Sequence, residues 1–307
     1  MSFTVTLATV VIMLLYAVPG YILMKSRLLK PDAIGPTVTI LLYLCSPFQT
    51  LYTMQQISLS PYMLKYLGIC ALLALGLMGL MLGAVYFALR KKQQIVTYRI
   101  CTAAAACGNV GFIGIPLLQA LLPDYPQALA FSTVFSVAMN ILMWTVVSFI
   151  ITRDRKYMSV RKIFLNPMSL SMAFALVLFF ADVHLTGQLA DMVALLGRMA
   201  TPLCMLILGM RLALMRWKPM FTRPIQYLAI GLKMIVFPLA ALLVCRLLPV
   251  ERDFVRSVYI LCCVPVASVV LSFSEMLGEG QDTAANVMLL STLLSLALIP
   301  LMMQLPI

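Results

Sequence analysis

Apolar residues run along this chain in blocks of about 20, the length that crosses a bilayer as a helix. Short polar segments separate them. Ten such blocks are predicted, at about 4–24, 34–54, 62–89, 99–122, 127–151, 167–183, 187–211, 224–247, 254–276 and 283–304. The sixth is short. The fourth and ninth are interrupted. The fourth contains NVGFIGIP, which sets Asn109, Gly111, Gly114 and Pro116 within two helical turns. Proline removes a helix hydrogen bond and glycine weakens the helix around it. In lipid, the freed backbone groups must be satisfied by protein or by a water-filled cavity. The ninth block breaks at Val264-Pro265-Val266-Ala267-Ser268. Interrupted spans in corresponding places of two halves point to a transporter's substrate site.

Composition fixes the class. The chain is 63% hydrophobic and 10% charged, with a mean hydropathy of +1.04. Soluble domains carry about 25% charged residues. An all-α integral membrane protein follows. The net charge of +12 raises nucleic acid as a partner. The basic residues lie in short loops, however, and none interleaves with aromatics as a base-stacking surface requires. No nucleic-acid partner is expected.

Sixteen of the 22 Lys and Arg residues fall in four loops. The first holds Lys25, Arg27 and Lys30, and the second Arg90, Lys91, Lys92 and Arg99. The third holds Arg153, Arg155, Lys156, Arg161 and Lys162, and the fourth Arg211, Arg216, Lys218 and Arg223. These loops follow spans 1, 3, 5 and 7, so they share one side, which the positive-inside rule makes the cytoplasm. Both termini are then extracytoplasmic, in a cytoplasmic (inner) membrane. Arg246, Arg252 and Arg256 dissent, and Glu275, Glu279 and Asp282 make the last cytoplasmic loop acidic. Residues Val5 to Met24 have no positive leader and no A-x-A site, so they read as a retained span.

The basic segment 152–166 divides the chain into halves, 1–151 and 167–307, of five spans each. Five is odd, so structural repeats would be inverted, and their broken fourth spans would meet at mid-membrane.

The candidate substrate-binding residues are Asn109, Gly111, Gly114, Pro116, Pro265, Val266, Ser268 and Lys233. The Asn109 amide offers both donors and an acceptor. It binds a polar substrate group or bridges helices. Backbone N–H groups at the breaks, with the positive ends of half-helices, favour an anion. Lys233 is an ionisable residue near the middle of its span, a functional candidate by default, or a structural lysine bonded to carbonyls. Asn140, Pro47 and Arg198 are possible supporting residues.

Other chemistries lack their residues. The ten Asp and Glu residues fall in loops or at span ends, so no buried carboxylate relay is expected. The eight cysteines form no CxxC or Cys/His spacing, and His184 is the only histidine. No metal site and no cofactor are expected. HExxH, GxSxG and paired mid-span aspartates are missing, so no enzyme is expected. No ring of like residues marks a channel filter.

These residues resemble the auxin efflux carrier (PIN-like) family. The resemblance rests on NVGFIGIPL at 109–117, on VPVASVVLSF and MLLSTLLSLALIPL between Val264 and Leu301, and on TPLCMLILGMRL and LKMIVFP. It covers essentially the whole chain. It implies ten helices in two inverted five-helix repeats, an architecture like that of sodium/proton antiporters and bile-acid symporters. It further implies a scaffold of helices 1, 2, 6 and 7, and a transport domain of helices 3–5 and 8–10 that moves like an elevator. Asn109 would hold a substrate carboxylate, Pro116 and Pro265 would be the crossover prolines, and the chain would form a homodimer. The long central loop of the plant carriers is missing, and Val266 and Ala267 replace polar crossover residues. The chain therefore looks more like compact bacterial members assigned to small organic acids such as malonate or malate. The expectation is a secondary transporter of small organic anions in the lipid bilayer, an exporter or facilitator. The alternatives are a sodium- or proton-coupled organic-acid symporter and a non-transporting sensor for a small carboxylate.

Overall fold

The computed structural model of this chain describes residues 3–165, 167–215 and 221–305. Arg216 and Lys218 of the fourth basic loop lie outside them. The described residues are helical apart from turns, loops and a single isolated β-bridge. Seven helices are long and apolar enough to cross a membrane: α1 (Phe3–Lys25), α2 (Pro31–Met54), α3 (Pro61–Ala88), α5 (Ala128–Thr152), α7 (Gly187–Leu214), α8 (Pro224–Arg246) and α10 (Gln281–Met302). Three elements are shorter or divided. One is α4a (Val96–Ala104) with α4b (Val110–Leu121), another is α6 (Pro167–Phe180), and the third is α9a (Arg252–Cys263) with α9b (Ser268–Leu277). Segment 152–166 is not wholly irregular. It carries a 3₁₀ turn, Arg155–Tyr157, and a short helix, Val160–Phe164. Asp154 opens that turn by accepting from Lys156 N–H at 2.9 Å. This bond and the Lys156 ammonium hold the Asp154 carboxyl below its usual range.

The helices begin and bend where local chemistry dictates. Ser60 caps α3, its hydroxyl accepting from Met63 N–H at 3.1 Å, with Pro61 in the first turn. Four helices widen into a π-helical turn, at Leu41–Cys45, Val110–Gly114, Met143–Val147 and Leu232–Val236. Three of these turns, all but the one in α5, are followed two residues later by a proline: Pro47, Pro116 and Pro238. A helical proline's ring meets the carbonyl four residues back, here inside the widened turn. The extra residue in that turn accommodates the ring without ending the helix.

Helix packing forms two sets. The second part of α1 packs along the second part of α7, and both α6 and the start of α7 pack on α2. Gly20 and Gly209 allow the first contact. A Cβ on Gly20 would strike the Leu206 backbone, and one on Gly209 the Ala17 backbone. Gly197 likewise lies on the backbone of Phe48 and Gln49. Small residues let membrane helices approach this closely. In the other set α3 packs on α5, α8 on α9a, and α10 on α9b, α4a and α8. The sets meet where α2 crosses α5 and where α1 crosses α10 and α4b.

The loops sort onto two faces. Arg153 reaches Gln94 at 2.8 Å, Arg99 pairs with Glu279 at 3.5 Å, and Arg211 pairs with Glu275 at 2.5 Å. Arg99 also donates to the Ile151 carbonyl. Glu275, near the end of α9b, and Glu279, just after it, thus sit among the basic residues, on one face. On the opposite face Tyr62 donates to Glu251 at 2.7 Å, and Ser58 contacts His184 at 3.3 Å.

Candidate functional site

The two helix breaks meet. Proline has no N–H to donate, and the residue before it is pushed to extended backbone. Val264, with φ −66 and ψ 149, is extended, and so is Ala267 at φ −70 and ψ 138. The extended piece 264–267 runs antiparallel to Cys107-Gly108-Asn109. Asn109 N–H donates to the Pro265 carbonyl at 2.8 Å, and Ala267 N–H donates to the Cys107 carbonyl at 3.0 Å. Val266 N–H is taken by Ser291 Oγ at 3.1 Å. Backbone groups freed by each break are therefore satisfied largely by the other. That is the condition for irregular backbone at membrane depth.

Lys233 completes the crossing from behind. It is fully buried, and its ammonium donates to the Cys262 carbonyl at 2.7 Å. That carbonyl belongs to the last turn of α9a, where a cation also complements the helix dipole. Gly108 makes room for it: a Cβ there would lie 2.8 Å from Lys233 Cε and 2.9 Å from Nζ. The Phe237 ring lies 4.6 Å from the ammonium.

A cavity of about 290 Å³ lies in front of the crossing, toward the face that carries the basic loops. Asn109, Gly111 and Phe112 line it from the start of α4b, and Ser268 and Val269 from the start of α9b. Both half-helix N-termini, the positive ends, border the same space. Ser46 and Gln49 contribute from α2, Ser136 and Asn140 from α5, and Cys204 from α7. Among the described residues, the Asn109 side chain has the Cys204 sulfur beside it but no nitrogen or oxygen partner. Gln49 Nε2 donates to the Gly111 carbonyl at 3.3 Å, and Ser132 Oγ to the Val110 carbonyl at 2.7 Å. Asn140 Nδ2 donates to Ser169 Oγ at 3.1 Å. The rest of the wall is largely apolar, including Trp144 and Phe273, whose ring centroids lie 4.7 Å apart. Arg211, held by Glu275, stands at the mouth.

A second cavity of about 340 Å³ lies on the other side of the crossing, toward the opposite face. Pro116, Gln119, Tyr52, Arg198 and Thr201 line it. Gln49 borders both cavities.

The candidate residues therefore fall in four places. Asn109, Gly111, Ser268 and Asn140 line the first cavity. Pro116 and Arg198 line the second. Pro265, Val266 and Gly114 build the crossing: a Cβ on Gly114 would lie 2.8 Å from Leu261 of α9a. Lys233 and Pro47 line neither cavity. Lys233 braces α9a, and Pro47 follows the widened turn of α2. One expectation needs correction. The N–H groups of Asn109, Val266 and Ala267 are committed to the crossing, so the helix N-termini facing the cavity begin later, at Gly111 and Ser268. Sequence reasoning missed Gln49, Cys204, Arg211 and Trp144. Gln49 was findable as a lone amide in an apolar span two residues after Pro47. The other three acquire their place only through packing.

No match to this chain was found among curated proteins. The family described as membrane transport protein matches at residues 4–161 and 151–303. These two matches together span nearly all of the sequence, and their members are multi-pass membrane transporters rather than enzymes. The chain therefore belongs to the membrane transport protein family, that of the auxin efflux (PIN-like) carriers.

Proposed function

We propose that this protein is a secondary transporter that carries small organic carboxylates across the cytoplasmic membrane, as an exporter or facilitator. The observation that carries this reading is the Asn109 amide. It faces a cavity between two half-helix N-termini and has no nitrogen or oxygen partner among the described residues. Its Nδ2 can donate to a substrate carboxylate that enters this cavity. Ser268 and Gln49 add donors on either side. The apolar wall of Trp144 and Phe273 suits the carbon skeleton of such an acid.

The proposed architecture has ten spans as two inverted five-helix repeats, 1–151 and 167–307, with both termini extracytoplasmic. The first cavity then opens to the cytoplasm. Helices α1, α2, α6 and α7 form a scaffold, which also makes the homodimer contact. Helices α3–α5 and α8–α10 carry the crossing as a transport domain that slides against the scaffold. The proposal is supported by the two packing sets and by loops that sort by charge onto two faces. An uncoupled carrier of an anion would be driven outward by about 2.3 kcal/mol per charge per 100 mV of membrane potential.

The test is flux. The protein is reconstituted in liposomes with labelled acetate, benzoate, malonate and malate, under imposed potential, pH and sodium gradients. Flux that follows the potential alone supports the uncoupled carrier. Flux that requires sodium or protons replaces it with a symporter. Binding without flux of any acid replaces it with a sensor.

A further inference from the structure

We propose that the second cavity is a separate binding site for an organic carboxylate, on the face opposite the basic loops, with Arg198 as its anchor. The proposal rests on the organic-anion reading above but concerns a different site.

Arg198 lies within the apolar helix α7, yet no carboxylate of the described residues pairs with it. Its guanidinium donates once, from Nη2 to Tyr52 Oη at 3.1 Å, and stacks with its carbon 5.0 Å from the Tyr52 ring centroid. Both contacts are neutral. Arginine has five donors in a planar fork that matches a carboxylate. The contrast within the molecule is direct, since Arg211 and Arg99, near the other face, are each paired to a glutamate. Arg198 is itself exposed, so its remaining donors are open to solvent and to the cavity. The cavity supplies water to Arg198 in the unliganded protein and room for an anion when one arrives.

The neighbours point the same way. Thr201 lies one turn further along α7, is largely buried, and its hydroxyl makes no hydrogen bond within the described residues. Gln119, an exposed residue, faces the cavity from α4b, and its amide makes no hydrogen bond within the described residues. Ile12, Met13, Ile115 and Pro116 give the cavity an apolar floor, and Thr9, Tyr16 and Gln49 also border it. A cation, a hydroxyl and an amide around an apolar floor describe a site for a carboxylate on a small carbon skeleton. The volume of about 340 Å³ lies in the range of small-ligand sites. Gln49 separates this site from the first cavity, its amide bonded to Gly111 of the crossing. The two sites are therefore distinct in this conformation.

The test is protection from arginine modification. The purified protein is treated with phenylglyoxal, and the adduct on Arg198 is followed by mass spectrometry. Acetate, benzoate and malonate are each added against chloride at equal ionic strength. The expected result is a labelled Arg198 and a several-fold slowing by at least one carboxylate, in wild type and in Asn109→Ala alike. Thr201→Val should weaken that protection. An Arg198 that does not label, labelling that no carboxylate slows, or protection lost in Asn109→Ala would each overturn the second site. Protection that persists where no acid is transported would instead sink the carrier reading and leave this site standing.

Discussion

At the residue scale, the amide at position 109 and the ammonium at position 233 answer to different demands. Both are polar groups in apolar spans, and the sequence treats them alike as candidates. The structure separates them by what they touch. Asn109 has open space in front of it, whereas Lys233 has the Cys262 carbonyl 2.7 Å away and no path to a cavity. Replacing Lys233 with Met leaves that carbonyl without its donor. The expected cost is about 1–3 kcal/mol of stability, read as a lower thermal unfolding midpoint in detergent. The apparent KM of the protein that survives should be unchanged. A raised KM at unchanged stability would return Lys233 to the substrate. A bulkier residue at position 108 tests the same contact from the other side. Gly108→Val would drive a side chain into the lysine stem, and folded yield should fall.

At the element scale, the breaks in α4 and α9 were legible because their cause is local. Val-Pro-Val-Ala cannot continue an ordinary helix in lipid. In α4 the helix gives way at residues 105–109, just ahead of most of the expected motif, and then runs on through Gly111 and Gly114 as a widened turn and past Pro116. That the two breaks bond to each other was expected from the odd number of spans in each half. Which backbone groups they spend was not legible, because it depends on register. A one-residue shift would have left the Asn109 N–H free. The π-helical turns ahead of Pro47, Pro116 and Pro238 were also hidden, since a proline in sequence announces a bend but not how the helix absorbs it. Close packing of α1 on α7 gives the sharpest prediction here. Gly209→Leu would push a side chain into the Ala17 backbone. The two helices can separate only at the expense of other contacts, so a loss at or above the about 1–3 kcal/mol typical of overpacking is expected. Chemical denaturation of the variant checks it. Gly76→Leu, at a position with open space around it, is the matched control.

At the scale of the whole molecule, charge placement organises the protein. Glu275, Glu279 and Asp282 run against the orientation read from the basic loops. In three dimensions Glu279 pairs with Arg99 and Glu275 with Arg211, so two of the three are neutralised in ion pairs. The Arg211–Glu275 pair also ties α7 to α9b at the mouth of the first cavity. If these helices belong to bodies that slide past each other, the pair stabilises the present conformation. Glu275 is partly exposed, so the expected shift is modest, about 1 kcal/mol or a fivefold change in population. Cysteine at position 272, which lines the first cavity, reports it. The native cysteines are all buried, but Cys204 lines the same cavity, so labelling by an impermeant maleimide is compared in a Cys204→Ser background. Glu275→Gln should change the labelling rate at 272, and the swap Arg211→Glu with Glu275→Arg should restore it. A rate that neither substitution moves would mean the pair holds nothing that matters to the motion.

The account turns on a carboxylate meeting the crossing at Asn109. The most direct test compares wild type and Asn109→Ala in the same liposomes, loaded with one labelled acid that the wild type moves, under an outward-driving potential. Loss of one charge-assisted hydrogen bond predicts a fall in flux of about tenfold or more, with folding and vesicle insertion unchanged. Equal flux in the two proteins would contradict the account, because the carboxylate would then be held elsewhere.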